Sequence, residues 1–114
     1  RTLNVLSQLV TNYLDWSHER EIQVPESFAA LWFSSLYLSV NEFNDPYTFE
    51  DLTAPIPMLS EGFRNNLLSQ IDHTQLLNLV IQAEEEAKNN TVLRERIQKF
   101  RKFLEDHYSK QDFN

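Results

Sequence analysis

One glycine, Gly62, stands in the whole chain, and three of its four prolines fall between residues 41 and 58. A strand-rich domain needs a turn signal, most often glycine-bearing, roughly every 8 to 12 residues. This chain of 114 residues lacks them, so an all-α fold is predicted. The length suits one domain able to bury a core without cross-links, and with no cysteine there is neither a disulfide framework nor a thiol zinc site. Absent thiols fit a reducing compartment, which makes a cytoplasmic location the expectation. The apolar run Phe28 to Phe33 is far shorter than the ~20 residues that span a bilayer, so no transmembrane segment is expected. The chain begins with Arg1 rather than methionine, which suggests a processed product or a segment of a longer protein.

Residues 2 to 17 set Leu3, Leu6, Leu9, Val10, Tyr13 and Leu14 three and four apart, the mark of an amphipathic helix. Pro25 starts a second helix, about 25 to 40, because a proline at the first helical position sacrifices no hydrogen bond. Phe28, Leu31, Trp32, Phe33, Leu36, Tyr37 and Leu38 spread around nearly its whole circumference, which predicts the central, most buried helix of a bundle. Residues 41 to 58 hold no sustained period, and Pro46, Pro55 and Pro57 forbid one regular helix. They read as one long irregular connection, with at most a helical turn near 49 to 53 capped by Thr48 and Asp51.

A third helix is predicted over about 59 to 71 from Phe63, Leu67 and Ile71, and a fourth over 73 to 87, capped by Asp72 with Gln75. Asn89-Asn90 ends it, and a fifth helix carries Leu93, Ile97, Phe100, Leu104 and Tyr108 on one stripe before residues 109 to 114 fray. The fold class is therefore all-α, a single compact helical bundle of about five helices over residues 1 to 114, with one long irregular connection.

Net charge is -7, but it is uneven: residues 1 to 90 hold 4 basic and 13 acidic side chains, the remainder 6 basic and 4 acidic. Glu84, Glu85 and Glu86 end the fourth helix while Arg94 and Arg96 begin the fifth, so each opposes its helix dipole. An antiparallel hairpin that sets the triad beside the two arginines would cancel both penalties. On the fifth helix Glu95 and Lys99, Arg101 and Glu105, and Lys102 and Asp106 are spaced to pair with one another, and this neutralised surface argues against direct nucleic-acid binding.

Catalytic chemistry finds no constellation to rest on. His18 with Asp15 supplies two ligands at most, His73 sits in the first turn of a helix, and His107 lies near an apolar stripe. There is no Glu-x-x-His, no nucleophile elbow and no glycine-rich phosphate loop, so no enzyme, no metal and no cofactor are expected. Asn89-Asn90-Thr91 matches the glycosylation pattern, but a match so short arises readily by chance.

The leading expectation is a non-catalytic helical protein-interaction, regulatory or adaptor domain. Its partner surface is expected on the 41 to 58 connection, with Phe43, Tyr47 and Phe49 as aromatic anchors beside Glu50 and Asp51. The alternatives are a bundle holding an apolar small ligand between aromatic-lined helices and an acidic protein that competes for a nucleic-acid-binding surface. Self-association into a homo-oligomer is compatible with all three.

Overall fold

The computed structural model describes residues 2 to 112, with side-chain surroundings from Leu3 to Lys110. These residues form six α-helices: α1 Thr2–Glu19, α2 Glu26–Asn41, α3 Pro46–Thr53, α4 Glu61–Leu68, α5 His73–Glu86 and α6 Thr91–Asp112, with one 3-10 turn at Ile56–Met58. No strand occurs among the described residues, so the chain is all-α.

On α1 the inward positions are Leu3, Ser7, Val10, Leu14 and Ser17, a spacing of four, three, four, three that keeps one seam toward the core. Leu9, expected inside, is 61% exposed because it lies almost opposite that seam. Helix α2 buries Phe28, Ala29, Trp32, Ser35, Leu36, Ser39 and Val40. Its outer face is open, with Leu31 and Tyr37 exposed, so apolar residues all round did not enclose it on every side as expected.

The principal correction concerns residues 41 to 58. They are not irregular: Asp45 caps α3 by accepting hydrogen bonds from the Thr48 N–H (3.1 Å) and the Thr48 hydroxyl (2.7 Å), and Pro46 occupies the first turn, where its missing N–H costs nothing. Two turns of helix result, burying Phe49 and Leu52, and the 3-10 turn then buries Ile56. This short helix packs against α1, α2, α5 and α6, so the structure has six helices rather than five and its hub is α3.

Helix α4 ends at Leu68, three residues earlier than predicted, where the Gln70 and Ile71 N–H groups turn back to the carbonyls of Leu67 and Leu68. Asp72 then caps α5 through the Gln75 N–H, and the Asn90 side chain caps α6 through the Leu93 N–H. Helix α6 continues to Asp112, past the predicted fraying point at Ser109, while Phe113 and Asn114 lie outside the described residues.

Helices α5 and α6 pack together, but their ion pairs are not the expected ones. Glu84, nearly buried, accepts from Gln98 Nε2 (2.8 Å) and holds the Arg101 guanidinium at 3.1 Å, one to two turns further along α6 than Arg94 and Arg96. Neither arginine pairs with the Glu84 to Glu86 triad, and none of the three pairs expected within α6 closes among the described residues; Glu85 bonds Lys88 instead. Packing decides this outcome, because the stripe Leu93, Ile97, Phe100 and Leu104 must face the core and so rotates Arg101 toward α5.

Two measurements probe this architecture. Trp32 donates its indole N–H to the Leu52 carbonyl at 3.0 Å inside the core. Trp32→Phe is expected to lower unfolding free energy by about 1 to 3 kcal/mol, the cost of an orphaned buried acceptor, whereas Trp16→Phe on the half-exposed ring should stay within about 0.5 kcal/mol. Equal effects in urea denaturation would contradict this. A double-mutant cycle between Glu84 and Arg101 should give a coupling of about 1 kcal/mol, and the same cycle between Glu86 and Arg94 should give none.

Candidate functional site

Helix α3 exposes one side because Pro46, Phe49, Leu52 and Thr53 turn inward, which leaves Tyr47, Glu50, Asp51 and Ala54 facing outward or toward α6. Helix α6 runs alongside, and between the two lies a furrow in two stretches. The first, of about 380 Å³, is bounded by Tyr47, Glu50, Asp51, Asn90, Val92 and Arg96. The second, of about 490 Å³, has Ala54, Pro57, Phe100 and Phe103 as apolar lining, with Arg96, Lys99 and Glu50 as its charged groups.

Glu50 and Arg96 stand at the junction of the two stretches, 3.7 Å apart. The Glu50 side chain is 16% exposed, against 63% for Arg96. Burial pushes the Glu50 carboxyl above its ordinary range and the Asp51 carboxylate pushes it further, while Arg96 draws it back. Asp51 is raised by burial and by Asp45, and Glu86 by the same two causes. At the upper end of the furrow the Tyr47 hydroxyl accepts from Asn90 Nδ2 at 2.9 Å, which ties α3 to the start of α6.

Phe103 also lines a third, more polar hollow, shared with Glu61, Arg64, Asp106 and His107. The Arg64 guanidinium lies 5.5 Å from the centre of the Phe103 ring and donates to the Leu59 carbonyl at 2.9 Å. His107 is held below its ordinary value by burial and by the positive charges of Arg64 and Lys110.

Of the residues singled out from sequence, the structure brings Tyr47, Glu50 and Asp51 to one furrow. Phe49 is fully buried and takes no direct part in any surface, because the helical register of α3 turns it toward the core beside Leu52. Phe43 is 53% exposed but follows the end of α2 and lines neither stretch. The sequence reading set Arg96 beside the Glu84 to Glu86 triad and paired Lys99 with Glu95, and it did not single out Phe103; the spacing of three and four between these residues was the available signal.

The histidines serve packing and hydrogen bonding. His18 Nε2 accepts from the Ser60 N–H at 2.9 Å, joining the end of α1 to the start of α4, and its ring meets Phe63 edge-on. His73 rests against Tyr108, 4.8 Å between ring centres. Burial and Asp72 push the Tyr108 hydroxyl up to about 12. Among the described residues no three histidine or carboxylate side chains gather as metal ligands. No helix among them is long and apolar enough to cross a membrane. No protein-family model matches the chain, and neither a curated protein nor a solved structure does.

The raised carboxylates give a pH test. Because the folded state raises Asp51 above its ordinary value of 3.8, Asp51 favours folding fully below that value, and the contribution is lost as pH rises through the raised folded value. Asp51→Asn should therefore improve stability relative to the parent chain more near neutrality than in acid, read from urea midpoints at both. An equal effect at the two conditions would contradict the assignment.

Proposed function

We propose that this chain is a non-catalytic helical interaction module, regulatory or adaptor in kind, that takes a segment of another protein in the furrow between α3 and α6. The observation that carries the reading is the makeup of the lower stretch: an apolar lining of Ala54, Pro57, Phe100 and Phe103 edged by Arg96 and Lys99. An interface needs an apolar centre for affinity and a charged rim for orientation, and this furrow supplies both. Its charged lining carries two cations against one carboxylate, in a chain whose net charge is -7. Lys99 makes no ion pair among the described residues, and Arg96 is only loosely held by Glu50.

The matching partner is a segment with acidic residues beside one or two apolar side chains. An amphipathic helix or an extended strip of about five residues fits the length from Val92 to Phe103, about 16 Å along α6.

Affinity capture with the tagged chain and with its Lys99→Glu variant, followed by mass spectrometry, tests the reading. A partner that the parent retains and the variant loses by at least about tenfold, at unchanged melting temperature, supports it. Equal recovery of every partner by both chains would place the function elsewhere.

A further inference from the structure

The hollow between α4 and α6 holds a positive charge that the fold leaves unanswered. It measures about 330 Å³; Arg64, Phe103 and His107 are its half-buried residues, and Glu61, Asp106 and Lys110 stand exposed around them. Arg64 makes no ion pair with any described residue, although two carboxylates share the hollow with it. Its Nη1 donates to the Leu59 carbonyl at 2.9 Å, and its Nε is buried with no acceptor among the described residues. A guanidinium drawn out of bulk water normally gains a carboxylate or phosphate in exchange, because an uncompensated charge away from water is costly. Arg64 has instead one carbonyl and the face of Phe103, whose ring centre lies 5.5 Å away.

We propose that this hollow binds a small phosphate monoester, with the phosphate group against Arg64 and Lys110 and the organic part on the Phe103 ring. Burial lowers the His107 imidazole, and the charges that lower it further are both cations, Arg64 and Lys110. The field at the inner end of the hollow is therefore positive, even though Glu61 and Asp106 share its rim. The donors come from two helices, Arg64 from α4 and Lys110 from α6. That arrangement suits a tetrahedral anion, which accepts along several directions, better than a planar carboxylate, which a single guanidinium fork saturates. The volume is about ten times the share of one water in the liquid, so a phosphate group leaves room for an organic part. Phe103 supplies the apolar wall for it.

The net charge of -7 acts on encounter at long range, and the local balance decides binding. Residues 91 to 114, which supply His107 and Lys110, hold 6 basic against 4 acidic side chains, and charges beyond about 8 Å are largely screened at physiological ionic strength. Of the residues lining the α3/α6 furrow, only Phe103 also lines this hollow. A small anion bound here needs no protein partner there, so the two readings stand or fall independently.

An NMR titration of the full chain tests the proposal, with phenyl phosphate, inorganic phosphate and acetate as probes, each compared with sodium chloride at equal ionic strength. Phenyl phosphate is expected to saturate with a dissociation constant below about 5 mM and to move the titration midpoint of His107 upward, because a nearby anion favours the imidazolium. Inorganic phosphate should bind less tightly than phenyl phosphate, and acetate less tightly again. Arg64→Gln should weaken phenyl phosphate binding by at least about tenfold. Because Arg64 also holds the Leu59 carbonyl, Lys110→Gln at an exposed position is the second variant, expected to weaken binding by at least about threefold at unchanged melting temperature. The proposal is overturned by the absence of a saturable change up to about 20 mM phenyl phosphate, or by a His107 response that chloride reproduces. Acetate or inorganic phosphate binding as tightly as phenyl phosphate, or full affinity in both variants, would overturn it equally.

Discussion

The last turn of α3 directs the Leu52 carbonyl into the core, and the donor that satisfies it comes from another helix. The last carbonyls of any α-helix lack an intrahelical donor, and Pro55 and Pro57, just beyond α3, have no N–H to offer. The indole N–H of Trp32 fills the deficit at the Leu52 carbonyl, with both groups buried. An unsatisfied carbonyl there would cost about 1 to 3 kcal/mol, a large share of the margin available to a domain of this size. The same bond sets α3 across α2, and from that placement Phe49, Leu52 and Ile56 become core residues.

A short helix at the hub explains the surface as well as the core. Because α3 touches four other helices, its inward side is fully committed, and its outward residues are held in place without loop flexibility. Tyr47 bonds Asn90 at 2.9 Å and Glu50 lies 3.7 Å from Arg96, so the wall of the furrow is formed by the fold itself before any partner arrives. Preformed walls lower the entropy lost on binding, which lets a furrow of modest size act as a specific contact.

Much of this was legible in the sequence, and the failures have identifiable causes. Helical content, the seam of α1 and the caps at Asp72 and Asn90 follow from periodicity and side-chain chemistry that act locally. Helix α3 was missed although Asp45-Pro46 is a cap followed by a first-turn proline, the same physics applied at Pro25; three prolines in 18 residues masked it. Phe49 was misplaced as a consequence, since its direction depends on that helix existing. Leu9 looked like a core position because the apolar residues of α1 cover more than one face, and spacing alone does not reveal which face finds a partner. The ion pairs were misjudged for a different reason: sequence proximity suggested Glu86 with Arg94, whereas the rotation of α6 is set by Leu93, Ile97, Phe100 and Leu104, and long side chains reach whatever that rotation offers.

Charge is sorted by element in this protein, and the sorting has a physical consequence. Acidic side chains concentrate on the first 90 residues, cations on α6, and the bodies of α1 and α2 carry almost no charge. Two cations of α6 pair across helices, Arg96 with Glu50 and Arg101 with Glu84. Such pairs join elements far apart in sequence, so salt or acid should loosen the contacts of α6 with α3 and α5 before it touches the neutral packing of α1 on α2. The candidate furrow inherits this division: it lies among the ion pairs of α6 and responds to ionic conditions.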